Sequence, residues 1–301
     1  MSIESNANIF FLRALNLSLL SKWQNSREII LKPLVSIVIP TRNSSKTIEE
    51  CLSTIEKQSY QNIETIIVDS KSTDDTREIA TAKGCKVIST DWKLLGARYL
   101  GCKSAAGDYI LMLDSDHVLV RDSVERSLRL FETYDMLCLE EVSYQSRTLI
   151  EKLFAADRRL VFSEIQLQLD PVYGTLLARF FKRNLLSKAL EAIPKALLPF
   201  VVAMDHEIIY YEAWKLSRNV GVLPTAVYHN ETATLLELWR KNFRYGKSTK
   251  PLLANGYYND FVRKRTRRFR NTSKGIITAD RFMSSLLLSL KAPAYLLGQC
   301  L

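Results

Sequence analysis

The stretch Tyr109–Leu119, YILMLDSDHVL, carries an apolar run into two acids, Asp114 and Asp116, with Ser115 alone between them. Two carboxylates one residue apart at a strand end can divide the work, one reaching a ribose hydroxyl while the other holds Mg²⁺ or Mn²⁺ bridging a diphosphate. A cation held there neutralises charge that builds on a departing diphosphate, and the attacking side then needs a separate base. The same three residues also suit a plain turn, because Asp and Ser side chains hydrogen-bond nearby backbone and cap the next element. The positions of the other polar residues decide between these readings.

The elements that must position the two acids are legible from period and punctuation. VSIVIP, starting at Val35 and closed by Pro40, reads as a short buried strand, and Ser45 to Gln58 has a helical period with Ile48, Leu52 and Ile55 on one face. IETIIVD reads as a strand ending at Asp69, Thr73 to Lys83 as a helix stopped by Gly84, and KVIST as a third strand. Gly96 to Ala106 is a further helix, stopped by Gly107, and YILML is a fourth strand. Strands alternating with helices of about a dozen residues predict an α/β fold with a parallel, doubly wound sheet, whose ligands sit at the carboxyl ends of the strands. Thr41, Arg42 and Asn43 follow the first strand, and Asp69 and Asp114 end the second and fourth. Polar groups thus recur at one edge, which turn capping alone does not require. Past Glu140 the pattern changes. Arg147–Leu169 and Leu176–Ala192 read as helices, Pro194 and Pro199 mark a loop before VVAMDHEIIYYEAWK, and Val220–Leu223 and Ala226–Tyr228 read as short strands before His229.

Composition bounds the class. A chain of 301 residues that is 47% hydrophobic can bury a core as one large domain or two fused halves. Its 42 basic and 32 acidic residues leave a formal charge of +10, which calls for an anionic partner: phosphate, nucleotide, nucleic acid or an acidic membrane surface. The run RKRTRRFR, Arg263 to Arg270, contains one aromatic, Phe269, and lacks the interleaved aromatics of a single-strand binder, so nucleic acid is not expected as a partner. The five cysteines, Cys51, Cys85, Cys102, Cys138 and Cys300, are scattered without metal-ligand spacing and read as reduced. NIFFLRALNLSLL is broken by Arg13 and lacks a cleavage site, so a signal peptide is not expected. No run reaches the ~18 apolar residues of a spanning helix. Ile9–Leu20 and Phe282–Leu301, the latter interrupted by Lys291 and Pro293, suit a bilayer interface, and equally suit packing on a core. Familiar nucleotide signatures are missing. Gly246-Lys247-Ser248 resembles the end of a P-loop, but Lys241 stands where its first glycine belongs, and neither G-x-G-x-x-G nor G-x-S-x-G occurs at a strand end.

VSIVIPTRNSSKTIEECLSTIEKQSYQNIETIIVDSKSTDDT, followed by GARYLGCKSAAGDYILMLDSDHVL, resembles the nucleotide-binding half of the family 2 glycosyltransferases over Pro33 to Val120. The resemblance implies a GT-A fold: a Rossmann-like, mostly parallel central sheet flanked by helices, here with additional helices and amphipathic terminal segments. It also implies inverting, divalent-metal-dependent transfer of a sugar from a nucleotide diphosphate of the UDP or GDP type. By similarity Thr41 and Asn43 lie beside the nucleotide, Asp69 contacts the base, Arg98 flanks the nucleotide, and Asp114-Ser115-Asp116 is the D-x-D motif. Asp114 and Ser115 then face the nucleotide, and Asp116 with Asp114 faces the metal. Two departures stand out. Asp69-Ser70-Lys71-Ser72-Thr73-Asp74 replaces the common Asp-Asp-Gly-Ser-Thr-Asp, which leaves the donor base open, and Met204-Asp205 replaces a Glu-Asp pair. Asp205 becomes the candidate base, with Glu207 as its rival and a helix N-cap as the competing role.

His229 is the candidate third metal ligand, although a lone His after a strand is commonly structural. His117 and His206 are lesser candidates. Trp239, Arg240, Arg244 and Tyr245, in LWRKNFRYG, resemble a basic-aromatic segment of relatives that act near membranes, and a solvated helix face is the alternative. The expected organisation is an N-terminal amphipathic segment at 1–33, a nucleotide-sugar-binding half at 34–140, an acceptor half with the base at 141–245, and a basic and apolar membrane-associating segment at 246–301. The expected setting is cytoplasmic and peripheral, on the inner face of the cell membrane, with a lipid-linked acceptor and an anionic surface as partners. An inactive nucleotide-sugar-binding protein is the alternative. A sugar nucleotidyltransferase is a weaker one, since PTRNSSKT does not resemble its glycine-rich loop.

Overall fold

A computed structural model of the chain describes residues 32–163, 169–174, 176–254, 256–268 and 279–301. The stretch Ile9–Leu20 and the residues Phe269 and Arg270 of the basic run lie outside them. The first half alternates as its pattern predicts: β1 (Val35–Thr41), α1 (Ile48–Glu56), β2 (Ile63–Asp69), α2 (Thr76–Ala82), β3 (Lys86–Ser89), α3 (Leu94–Lys103) and β4 (Tyr109–Met112). A short β5 (His117–Leu119), α4 (Ser123–Leu130) and β6 (Met136–Ser143) follow. Then come α5 (Leu149–Ser163), β7 (Ala178–Lys182), α6 (Arg183–Glu191), α7 (Asp205–Leu216), β8 (Val220–His229), α8 (Leu235–Ala254), α9 (Asn259–Arg268) and α10 (Ala279–Cys300).

One eight-stranded sheet runs in the order β3-β2-β1-β4-β7-β6-β8-β5. The first four strands are parallel, β7 runs antiparallel between β4 and β6, β8 is parallel to β6, and β5 closes the edge antiparallel to β8. Every residue of β1 is buried, and its alternation sorts the core into two layers. Ile37 and Ile39 belong to the layer that holds Ile48, Leu52 and Ile55 of α1, while Val38 belongs to the layer that holds Leu95, Ala97 and Cys102 of α3. Gly101 makes the second contact possible, because a Cβ there would stand 2.3 Å from Val38 Cγ1. Pro40 sits in this central strand without breaking it. Val38 O accepts from Leu113 N, so even-numbered residues bond toward β4, and the last β1–β4 pair is Val38 with Met112. The missing N–H of Pro40 therefore faces the side on which the ladder has ended. The order reverses between β1 and β4, the switch point beside which doubly wound sheets bind ligands.

The second half departs from its sequence pattern in two places. The segment read as a helix, Leu176–Ala192, is β7 followed by α6. Its start, ARFFK, buries Ala178, Phe180 and Phe181 as a strand covered on both faces, which matches an apolar run as well as a helical period does. The two short strands before His229 are one strand, β8, whose register with β6 shifts near Pro224 and Thr225. The C-terminal apolar run forms α10, which Lys291 and Pro293 do not interrupt. Leu287 of α10 packs with Ile150 and Leu153 of α5 and Leu238 of α8. No helix among the described residues is long and apolar enough to cross a membrane, and all five cysteines are free thiols.

Candidate active site

Thr41 and Asp69 end β1 and β2 in direct register. Asp69 is fully buried and accepts from Thr41 Oγ1 at 3.0 Å and from Ser72 N at 2.9 Å. Asn43 is left-handed, φ 53°, a conformation that Asn tolerates better than most residues. Its N donates to Ser72 Oγ at 2.8 Å, and its Oδ1 accepts from Thr73 N at 2.8 Å. The loops after β1 and β2 are thus laced together, with Asp69 engaged in organising them. Ser115 Oγ donates to Ser44 Oγ at 3.0 Å and joins the loop after β4 to the same edge.

Beneath that edge the acids and arginines alternate. Glu231, just past β8, binds Arg158 of α5, whose Nη1 donates to Glu141 Oε2 of β6 at 2.5 Å. Arg179 of β7 places Nε 2.7 Å from Glu141 Oε1 and donates through Nη1 to Asp114 Oδ2 at 2.8 Å. Arg98 of α3 holds Asp114 Oδ1 with Nη2 and donates through Nε to Asp205 Oδ2, at the start of α7, at 2.5 Å. No side chain in this row of seven is more than a quarter exposed. Burial opposes ionisation of Asp114, but Arg98 and Arg179 outweigh it and hold the carboxyl well below the usual range. Glu141 is also opposed by burial and carried well below its ordinary value by Arg179 and Arg158. Burial, with Arg179 and Arg98, pushes His206 down, so its imidazole is neutral at pH 7.

A second group gathers beside this row. Ligand atoms of Asp116, His117 and His229 lie within 4.8 Å of one another. The antiparallel register of β5 and β8 puts His117 opposite His229, with ring centroids 4.9 Å apart, and His229 Nε2 is 3.7 Å from Asp116 Oδ2. His117 Nδ1 accepts from Asp114 N at 3.3 Å, which assigns the ring proton to Nε2, 3.6 Å from Asp114 Oδ2. Burial pushes His117 down to about 4, partly offset by Glu141 and Asp114. Asp114 does not join this group, since both its oxygens face arginines. Five carboxylates, Asp114, Asp116, Glu141, Asp205 and Glu231, gather with three guanidiniums, Arg98, Arg158 and Arg179, and the Lys241 ammonium, which leaves one negative charge in excess. Carboxylate and imidazole with that excess fit a divalent cation that accepts both oxygen and nitrogen.

On the opposite side, Asp205 is buried and is the first residue of α7, and the N-cap position belongs to Met204 in a left-handed conformation, φ 68°. Glu207 is half-buried. The basic-aromatic segment divides along α8. Trp239, Arg240 and Arg244 are exposed, while Tyr245 is half-buried one turn beyond Lys241. Tyr245, followed by the acids Asp116, Glu231 and Asp114, raises the Lys241 ammonium above its ordinary range against the effect of burial. Lys241, Arg179, Glu141, Arg158 and Glu231 are missing from the sequence-based site. The available signal was a charged residue within a buried strand, Glu141 in MLCLEEVS and Arg179 in ARFFK, since such residues are rarely buried unless paired.

Residues 36–169 match the glycosyl transferase family 2. The glycosyltransferase GlyG of Streptococcus pneumoniae is 36% identical over 102 residues, 32% of this chain and 34% of that one. WfgD of Escherichia coli, a UDP-Glc:alpha-D-GlcNAc-diphosphoundecaprenol beta-1,3-glucosyltransferase, is 33% identical over 101 residues, 32% of this chain and 40% of that one. These matches span between a third and about two fifths of the relatives' own length. Glucosyl-3-phosphoglycerate synthase from Mycobacterium tuberculosis, crystallised with Mn²⁺, UDP and phosphoglyceric acid, superimposes with a TM-score of 0.51 at 20% identity over 74% of this chain and 78% of that one. At that identity the likeness speaks for the fold, which is of the GT-A type.

Proposed function

Because the chain carries a glycosyl transferase family 2 region at residues 36–169, we propose that it transfers a sugar from a UDP-type nucleotide diphosphate to the hydroxyl of a lipid-linked acceptor, with inversion and with a divalent cation. The observation that carries this reading is the convergence of Asp116, His117 and His229 at the strand-end edge, beside the laced loops of Thr41, Asn43 and Asp69. Asp116 and His229 would hold the cation. When bound, it neutralises charge on the departing diphosphate. Arg98 and Arg179 fix Asp114 at the nucleotide's flank, where Ser115 supports the loop. Asp205, with one oxygen on Arg98 and its helix start fixed by Met204, is the group proposed to take the acceptor proton, and Glu207 is its rival. The UDP-Glc donor and diphosphoundecaprenol-linked acceptor in the WfgD name, and the UDP and Mn²⁺ of the crystallised synthase, are the classes that support this choice. An acceptor of that kind places the enzyme peripherally on the inner face of the cell membrane, with Trp239, Arg240 and Arg244 toward the lipid side.

Release of UDP from UDP-sugars, with Mn²⁺ or with chelator and with a diphosphoundecaprenol-linked sugar as acceptor, tests the reading. Asp205→Asn should leave donor binding intact and lower turnover by about 10²- to 10⁴-fold, the usual contribution of a positioned base. If Glu207→Gln produces that loss and Asp205→Asn does not, the two roles exchange. Donor binding with no UDP release under any of these conditions would favour a nucleotide-sugar-binding protein without catalysis.

A further inference from the structure

Glu231 divides its two oxygens. Oε1 accepts from Ser143 Oγ at 3.0 Å and from Arg158 Nε, while Oε2 lies 3.3 Å from His229 Nδ1. Its side chain is 1% exposed, and His229 Nδ1 is buried and meets no other polar partner among the described residues. The local chain explains the meeting. Ser143 is paired with His229 across β6 and β8, and Glu231 follows His229 by two residues, the spacing that returns an extended chain to the same side. Arg158 is held from behind by Glu141, which Arg179 holds in turn.

We infer that Glu231, braced by Arg158 and Ser143, is a positioning residue that fixes the proton of His229 on Nδ1 and so turns the lone pair of Nε2 toward Asp116. A neutral imidazole can present only one nitrogen as a ligand, and the hydrogen bond made by the other decides which. A carboxylate at Nδ1 makes the ring a stronger donor at Nε2 and holds it in one orientation. His117 is set the opposite way, with Nδ1 accepting from Asp114 N, so the two imidazoles of the cluster are not equivalent. This inference deepens the proposed reading and rests on a metal at Asp116 and His229.

Two measurements test it. In the metal-free wild-type protein, nitrogen chemical shifts of the His229 ring should report the Nδ1–H tautomer. The Nε2–H tautomer would overturn the inference whether or not a metal binds. Separately, Mn²⁺ titration without nucleotide should show a 10- to 100-fold loss of affinity in Glu231→Leu, about the usual effect of removing a ligand's supporting carboxylate. Glu231→Gln, which keeps the shape but has one oxygen to serve both His229 Nδ1 and Arg158, should lose less affinity than Glu231→Leu. If His229→Ala abolishes Mn²⁺ binding while Glu231→Leu, folded by its circular dichroism, binds Mn²⁺ as tightly as wild type, the positioning role is wrong and the metal site stands. If the wild-type protein binds no Mn²⁺, the metal reading itself falls, and the ring tautomer still decides what Glu231 does.

Discussion

Asp114 and Asp116 are one residue apart and meet different surroundings. Asp114 gives both oxygens to Arg98 and Arg179, whereas Asp116 faces two imidazoles. Spacing alone could not separate them, because it fixes neither which arginines arrive nor from where. A buried pair broken on one side costs about 3–5 kcal/mol, so Asp114→Asn should weaken the fold, an effect that Asp116→Asn should not share. The buried histidines add a pH dependence whose sign follows from their direction. His117 is pushed down to about 4, and His206 is lowered too, against an unfolded value near 6.5. As pH falls through that window the unfolded chain takes up protons that the folded chain refuses, so stability drops, for His117 by an amount on the order of 3 kcal/mol. Asp114 and Glu141 act lower. Their contribution is present above about pH 4 and is lost as pH falls through their depressed folded values. Thermal melts of chelator-treated protein should therefore decline between pH 7 and 5, before the carboxylates titrate. A flat profile over that interval would mean that these imidazoles are not held neutral.

At the scale of elements, the first half of the chain was readable because period and punctuation agree. Ile48, Leu52 and Ile55 share a helix face, and Gly84, at φ 70°, stops the next helix as a left-handed residue that glycine adopts freely. The strand ends then delivered Thr41, Asp69, Asp114 and Asp116 to one edge. In β7 the signals diverged, because Phe180 and Phe181 are both buried and no alternation marks the strand. The alternating charges were hidden for another reason. Each pair joins different elements, and Arg98 and Asp205 are 107 residues apart, so no local spacing encodes them. The apolar character of Phe282–Leu301 was legible, and its inner face was not. Gly246 of α8 and Gly298 of α10 let the two helices touch, since a Cβ on either would stand 2.0 to 2.2 Å from backbone oxygen of the other helix.

The whole molecule carries a charge of +10, and much of the surface of α8 and α10 suits a membrane interface. Phe282, Leu286, Leu296 and Leu297 of α10 are exposed, as are Trp239, Arg240, Arg244, Lys247 and Lys250 of α8. Each basic residue near an acidic bilayer contributes about 1 kcal/mol, screened over a Debye length of roughly 8–10 Å. Apolar insertion adds a part that salt does not remove. In flotation with acidic vesicles, replacing Arg240, Arg244, Lys247 and Lys250 by Gln should abolish the salt-sensitive binding. Replacing Phe282, Leu286, Leu296 and Leu297 by Ser should reduce what persists in high salt. Deleting α10 would not make this test, because its inner side, through Leu287, is part of the packing with α5 and α8. Wild-type protein that stays unbound at low salt would exclude the membrane location and favour a soluble acceptor.

In the proposed reading a divalent cation at Asp116 and His229 ties a nucleotide diphosphate to the strand-end edge of the sheet. Calorimetric titration of UDP into wild-type protein and Asp116→Asn, each with Mn²⁺ and with chelator, tests it most directly. Wild type with Mn²⁺ should bind UDP saturably, and that binding should be lost both on chelation and in Asp116→Asn. Equal UDP binding with and without Mn²⁺ in both proteins would contradict it.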